Sequence, residues 1–197
     1  MQRSRTISVL ALACLATLAT ACGDDAEGAD PVDDPPVETT VETTAPDDDH
    51  DQHDTTVMID GVDYGFDNVP ATVPAGTRLG FRNTSSVELH ELVAFRLDTD
   101  QPLDEVLALP PAELEAALGA PVTVLLQPPG APEAIQAVGD GTLTEPGRYV
   151  MMCFIPIGAD PDEYLAAVEA AGGGKPEGVA GGPPHFTAGM VAEFVVE

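Results

Sequence analysis

Positive charge is scarce in this sequence, and tryptophan is absent. The chain of 197 residues has 7 Lys and Arg against 34 Asp and Glu, which gives a formal net charge of -27. Such a surface repels phosphate backbones, which excludes nucleic acid as a partner. It favours solubility, or the attraction of cations and basic partners. Aromatic residues make up only 5% of the chain, but a hydrophobic share of 44% is enough for the core of one domain.

Cysteines and long hydrophobic runs are also few. Three cysteines cannot form a disulfide framework. The apolar run over residues 7–21 is shorter than the ~20 residues that a membrane-spanning helix needs. Because Arg3 and Arg5 precede this run and small residues end it, it predicts a secretory signal peptide over residues 1–21. Cys14 lies inside the run and would be removed with it.

Cys22 follows the predicted signal peptide directly. The residues before it, LATA, resemble the lipobox of bacterial lipoproteins, in which the cysteine becomes the lipidated first residue. The resemblance implies secretion across the cytoplasmic membrane and a lipid anchor on its outer face, at the cell surface or in the periplasm. Ordinary cleavage after Ala21, which would leave Cys22 as an exposed free thiol, is the alternative.

Residues 22–55 are predicted to be a disordered acidic tether. Between Gly23 and Thr55 there are 13 Asp and Glu and no Lys or Arg. Such a segment cannot bury enough apolar surface to offset the entropy of ordering it. A flexible chain of this length spans ~30 Å, which suits a spacer between a membrane and a domain. His50 and His53 lie among carboxylates at its end, either as a weak metal-capturing tract or as incidental histidines of a solvated linker.

The domain over residues 56–197 contains short β-like segments separated by Pro, Gly and Asn turns. This spacing predicts an antiparallel β-sandwich. Within one segment Leu79 and Phe81 share a face, as alternate residues of a strand do. The predicted strands are residues 56–66 with a turn at Asp60-Gly61, 77–83 after a turn at residues 74–76, 89–97, 122–126, 147–153 and 191–196.

Two helices are predicted as insertions into the sandwich. Pro111 and the residues up to Leu118 suit a short helix in a variable middle segment. A second helix is predicted over residues 160–171, with Tyr164, Leu165 and Val168 as its apolar stripe.

The chemically distinctive residues lie near the C-terminus. Cys153 is the only cysteine of the predicted mature domain apart from the anchor, and Met190 follows His185 by five residues. Cysteine, histidine and methionine together are a soft ligand set, which selects copper over zinc, calcium or magnesium. Each residue taken alone also has a structural reading, since a buried thiol and a methionine both serve as core packing.

The domain resembles the cupredoxins, the family of plastocyanin-like and azurin-like blue copper domains. In the first half, a strand ends at Asn83 and His90 follows; in the second half, GRYVMMC and HFTAGM match the penultimate strand and the closing loop of that family. The resemblance implies a Greek-key cupredoxin β-sandwich. It also implies one mononuclear, type 1-like copper ion, bound by His90, Cys153 and His185 and completed axially by Met190.

One departure from the family pattern concerns the separation of two implied ligands. Cupredoxins place the second histidine a few residues after the cysteine, whereas Cys153 and His185 are 32 positions apart. We call the intervening residues 154–184 the excursion. If its ends meet, the length costs little, because each doubling of a loop adds only about 0.6 kcal/mol of closure free energy. The excursion is then expected to cover the site or to dock a partner.

The resemblance implies a carrier of single electrons rather than an enzyme. Copper oxidases and nitrite reductases need further histidine clusters, whereas the predicted domain has only His90 and His185. We expect a monomer with an unidentified redox or copper-exchange partner. Two alternatives are copper storage or delivery, with Met151, Met152 and Met190 around Cu(I), and a metal-free cupredoxin-like binding lipoprotein. No GxSxG, P-loop or paired CxxC pattern points to another enzyme class.

Overall fold

A computed structural model of the chain describes residues 55–172 and 174–197. The predicted signal peptide, the lipidation site Cys22 and the tether with His50 and His53 lie outside the described residues and stay predictions. Within those that are described, no helix combines the length and the apolar character needed to cross a membrane.

The described residues form ten β-strands, three α-helices and one 3₁₀ turn. The strands are β1 (Thr56–Val62), β2 (Gly65–Asp67), β3 (Thr72–Val73), β4 (Thr77–Asn83), β5 (His90–Leu97), β6 (Thr123–Gln127), β7 (Ile135–Val138), β8 (Thr142–Leu143), β9 (Gly147–Met152) and β10 (Val191–Val196). The helices are α1 (Leu103–Leu107), α2 (Pro111–Leu118) and α3 (Pro161–Ala170), and the 3₁₀ turn is His185–Ala188. One sheet has the strand order β2-β1-β4-β8 and the other the order β3-β10-β9-β5-β6-β7.

Apolar side chains from both sheets form a shared core. Ile59 and Phe81 of the first sheet lie in one buried cluster with Tyr149, Met151 and Phe194 of the second. The rings of Tyr149 and Phe194 stack with their centroids 5.6 Å apart. Each large apolar side chain buried in this way stabilises the fold by about 1.5–3 kcal/mol. The prediction of an all-β sandwich with short helical insertions is confirmed.

Most strand pairs are antiparallel as predicted, but two pairs are parallel. β1 pairs with β4 in parallel, and β3 pairs with β10 in parallel. After β2 the chain leaves the first sheet, adds β3 to the edge of the second sheet and then returns. Because of that crossover, β4 enters the first sheet beside β1 in the same direction, and no hairpin joins the two strands.

The turn predicted at Asp60-Gly61 is also wrong. Both residues continue β1, and the chain reverses at Tyr64, whose φ is 63°. A Cβ atom on Gly61 would lie 2.7 Å from the ring of Phe81, so glycine serves close packing there instead of a turn. Asp60 is buried and accepts hydrogen bonds from Arg82 at 2.8 and 2.7 Å, which explains a carboxylate inside a strand.

The helices begin where capping chemistry predicts. α2 starts at Pro111, a position where the missing N–H of proline costs nothing. Asp160 caps α3 and accepts hydrogen bonds from the backbone N–H groups of Asp162 and Glu163 at 3.0 Å each. α1 and the 3₁₀ turn were not predicted, because four or five residues carry too little periodicity to be recognised.

Candidate metal centre

Three buried side chains converge at one end of the sandwich. His90 begins β5, Cys153 follows β9, and His185 begins the 3₁₀ turn before β10. Each of the three is 0% exposed, and their nitrogen and sulfur donor atoms lie within 4.8 Å of one another. The Nδ1 atoms of His90 and His185 are 3.2 Å apart, and the Cys153 Sγ lies 3.3 Å from the His185 Nδ1.

Strand pairing places His90 close to Cys153. β5 and β9 are antiparallel neighbours, with Val93 opposite Met152. The start of β5 therefore lies beside the end of β9, where Cys153 follows. β10 pairs with the other edge of β9, so the segment that precedes β10 reaches the same end of the sheet.

The excursion returns His185 to this position because its two ends pair. Pro156 and Pro184 form an antiparallel bridge, and the N–H of His185 donates to the carbonyl of Ile155 at 3.0 Å. The N–H of Ile157 also donates a hydrogen bond to the carbonyl of Pro183 at 3.0 Å, and the N–H of Gly182 donates to the carbonyl of Ile157 at 2.8 Å. This short antiparallel stem makes the separation of 32 positions compatible with one site.

Met190 is held next to the cluster through its backbone. Its N–H donates to the carbonyl of His185 at 3.2 Å, and its own carbonyl accepts from the N–H of Cys153 at 3.2 Å. The residue is fully buried and belongs to the same apolar cluster as Cys153. Its role as an axial ligand stays a prediction.

The three donor atoms fit one metal ion. Metal bonds are about 2.0 Å to an imidazole nitrogen and about 2.3 Å to a thiolate, as zinc sites show. Two nitrogens 3.2 Å apart, and a nitrogen and a sulfur 3.3 Å apart, are each closer than the sum of two such bonds. Two imidazoles and one thiolate in a trigonal set, with a thioether nearby, are typical of type 1 copper. The domain is a β-sandwich with a buried cluster of two histidines and one cysteine at one end.

Comparison with solved structures finds similar chains that include two auracyanins. Auracyanin from the photosynthetic bacterium Roseiflexus castenholzii, in its dithionite-reduced crystal form, is 24% identical and has a TM-score of 0.40, over 73% of this chain and 97% of that one. Auracyanin A from Chloroflexus aurantiacus is 19% identical with a TM-score of 0.40, over 73% of this chain and 98% of that one. No family model matches the chain, and no curated protein matches it.

Burial sets the protonation of the histidine and cysteine donor atoms. It lowers the pKa of His90 to about 4, helped by the neighbouring His185, whose pKa burial also lowers. Both imidazoles are therefore neutral near pH 7, which is the form that binds metals. Burial, with a smaller contribution from the Glu91 carboxyl, raises the pKa of the Cys153 thiol well above its usual range. The thiolate thus needs a bound cation, and metal binding here would release a proton.

Glu91 is a residue of this centre that the sequence analysis missed. It follows His90 in β5, is buried, and accepts a hydrogen bond from the N–H of Phe154 at 3.0 Å, directly after Cys153. The hydroxyl of Tyr164, from α3 in the excursion, lies 3.4 Å from its other oxygen. Glu91 therefore connects β5, the segment that follows Cys153, and α3 of the excursion. A carboxylate within the apolar segment LHELVAF was the signal that could have revealed it.

The pH dependence of folding provides a test of the burial of Glu91. Burial raises the pKa of Glu91 to about 7, so in the metal-free protein its contribution to stability is full below about pH 4.5 and is lost as the pH rises through 7. His90, with its lowered pKa of about 4, contributes in the opposite sense and loses stability as the pH falls from 6.5 through 4. The Glu91→Gln variant keeps the pH dependence that His90 causes and loses the one that Glu91 causes.

Denaturant titrations of the metal-free forms should show that the free energy of unfolding of the wild type, relative to this variant, falls between pH 4.5 and 7. The slope should reach about 1.4 kcal/mol per pH unit. A difference that does not change with pH would contradict the buried carboxyl.

Proposed function

We propose that this protein is a membrane-anchored, extracytoplasmic copper protein that transfers single electrons through one type 1-like copper site. The observation that carries the proposal is the convergence of His90, Cys153 and His185, three fully buried donors within 4.8 Å. Copper, when bound there, would supply one-electron exchange between Cu(II) and Cu(I). The protein would supply the four donors, with Met190 as the weak axial one, and would exclude water from them.

The rigidity of the surrounding structure supports electron transfer. Cys153 and His185 are tied by backbone hydrogen bonds to each other's segments, since the N–H of Phe186 donates to the Cys153 carbonyl at 2.9 Å. Donors fixed in this way would keep one geometry in both oxidation states, and little reorganisation would then accompany the exchange of an electron. The Cys153 sulfur also receives backbone hydrogen bonds from Glu91 and Ile155, which favour the thiolate.

We place the domain outside the cytoplasmic membrane, anchored by lipidated Cys22 and held off the surface by the tether of residues 22–55. We propose that it works as a monomer and meets a redox partner with a basic surface. The net charge of -27 supports this choice, because it favours encounter with positively charged partners and repels acidic ones.

Copper storage or delivery has less support from the packing. Met151 belongs to the main core between the sheets, and Met152 lies in a separate cluster on the outer face with Val106 and Leu114. Of the three methionines considered for Cu(I), Met190 is the one that shares an apolar cluster with Cys153. Among the residues that the structure describes, a Met-rich pocket is therefore not formed around the cysteine.

Copper loading tests the proposed function directly. The mature chain mixed with Cu(II) should develop an intense visible thiolate-to-copper band, an EPR signal with narrow hyperfine splitting, and a reversible one-electron couple in voltammetry. Binding should also raise the midpoint of thermal unfolding, because a ligand that binds only the folded state stabilises it by about 4 kcal/mol at 1,000 times its Kd. The absence of a band together with an unchanged midpoint would refute the proposal. Uptake of Cu(I) alone, without a reversible couple, would favour storage.

A further inference from the structure

The outer edge of His185 faces a carboxylate from another loop. The Nε2 atom of His185 lies 3.5 Å from the Glu88 Oε2 atom, and the Glu88 side chain is only 15% exposed. The His185 ring is fully buried. In the part of the chain that the structure describes, its Nε2 atom has no hydrogen-bond partner. This carboxylate is able to accept the Nε2 proton and lies just beyond the usual hydrogen-bond distance.

Several contacts hold Glu88 in this position. The N–H of Gly158, in the excursion, donates to the same Oε2 atom at 3.2 Å. On the backbone, the Glu88 N–H donates to the Ser85 hydroxyl at 3.0 Å, and its carbonyl accepts from the Asn83 amide at 2.9 Å. The ring of Tyr64 packs edge-on against His185 with centroids 5.3 Å apart, and closes the side of the imidazole.

We propose that Glu88 is a positioning residue that accepts the Nε2–H hydrogen bond of His185 when the Nδ1 of that histidine binds copper. This inference rests on the proposed function. An imidazole that binds a metal through Nδ1 carries its proton on Nε2, and an acceptor for that proton fixes both the tautomer and the ring orientation. A carboxylate also increases the basicity of the ligand and, being negative, stabilises Cu(II) more than Cu(I).

The same arrangement gives the excursion a function at the metal centre. Because Gly158 of the excursion donates to Glu88, the segment that carries His185 back to the site also helps to hold the acceptor for its outer nitrogen. In addition to covering the site, the long insertion between Cys153 and His185 then contributes to the geometry of the ligand His185.

His90 offers a matched comparison within the same site. Its Nε2 atom lies 3.7 Å from the Asp63 Oδ1 atom, but the Asp63 side chain is 66% exposed. Water competes for an exposed carboxylate and salt screens it, so its effect on the metal should be small. Asp63→Asn therefore removes the same charge from a comparable distance without removing a buried acceptor.

The test compares Glu88→Gln, Glu88→Ala and Asp63→Asn in the full mature chain. For Glu88→Ala we expect the Kd for Cu(II), measured by chelator competition, to rise about 10- to 100-fold. If Cu(I) affinity is unchanged, each tenfold loss raises the reduction potential by about 59 mV. Glu88→Gln should fall between Glu88→Ala and the wild type, since its amide oxygen still accepts a hydrogen bond but carries no charge. Asp63→Asn should change the Kd less than threefold.

A second readout separates positioning from folding. In the Cu(I) form of the wild type, ¹⁵N NMR of the histidine rings should show the His185 Nε2 proton slowed in exchange with water, and Glu88→Ala should speed that exchange. Thermal unfolding of each metal-free variant checks that the fold is retained; the isosteric Glu88→Gln keeps the test open if the alanine variant does not fold. Equal Kd and potential for Glu88→Gln and Asp63→Asn would overturn the inference while the proposed function stands. A wild type without the thiolate-to-copper band would instead overturn the proposed function, and this inference with it.

Discussion

Replacing Cys153 with serine is expected to abolish the thiolate-to-copper band completely. The band arises from charge transfer between the sulfur and copper, and a buried serine hydroxyl remains protonated and supplies no equivalent orbital. The Cu(II) affinity should fall by roughly 100-fold or more, because four-ligand zinc sites bind with about 10–16 kcal/mol and each strong ligand then supplies at least about a quarter of this free energy. Visible spectroscopy and chelator competition measure the two effects.

The fold should survive this substitution. Serine is close to cysteine in size, so the expected cost to the metal-free protein is at most about 1–3 kcal/mol, the penalty for a buried hydroxyl that finds no partner. Met152→Leu is the matched control: the neighbouring side chain is equally buried but packs on the outer face of the sheet, in a different cluster. That near-isosteric change costs under about 1.5 kcal/mol and should leave the band intact. A persisting band in Cys153→Ser would mean that another sulfur binds copper.

The second large effect is expected when His185 is replaced with alanine. This substitution tests the residue that the excursion separates from Cys153 in the sequence. We expect loss of the narrow hyperfine EPR signal and a weakened or displaced visible band, since one imidazole and one thiolate leave a coordination position open to water. The Cu(II) affinity should again fall by about 100-fold, because the site loses the binding free energy that one strong ligand supplies. EPR and visible titrations of the loaded variant give the measurement.

Lys175→Ala serves as the control for changes elsewhere in the excursion. Lys175 lies on its exposed part, 3.8 Å from Glu115 in an exposed ion pair, which contributes about 0–1 kcal/mol. Its removal should leave the copper spectra unchanged. If His185→Ala behaved like Lys175→Ala, His185 would not be a ligand, and the pairing of the ends of the excursion would serve the fold alone.

Local patterns predicted the elements that depend on neighbours in sequence. The last strand, β10, has the predicted bounds Val191–Val196, and α2 starts at the predicted Pro111. The apolar stripe of α3 is confirmed, with Tyr164 buried against the cluster that contains Cys153. These features depend on the periodicity of apolar residues and on helix capping. Both patterns extend over about a dozen residues and can be read directly from the sequence.

Features that depend on distant partners were predicted less well. The parallel pairing of β1 with β4 follows from a crossover between sheets, and Gly61 is a packing glycine only because the Phe81 ring lies against it. An Asp-Gly pair is a strong local turn signal, and a tertiary contact overrode it. The sequence carries no local trace of such contacts.

By itself, the sequence determined the chemistry available to this protein: a scarce thiol, two domain histidines and a methionine in local motifs that fit copper, on a strongly acidic chain. Only the tertiary structure decided that those residues meet at one place. The stem that returns His185, the buried Glu91 and the carboxylate of Glu88 beside the outer imidazole edge all arise from contacts between segments far apart in sequence. Residue type and spacing set which atoms can bind a metal, whereas burial and the meeting of distant strands set their protonation and geometry.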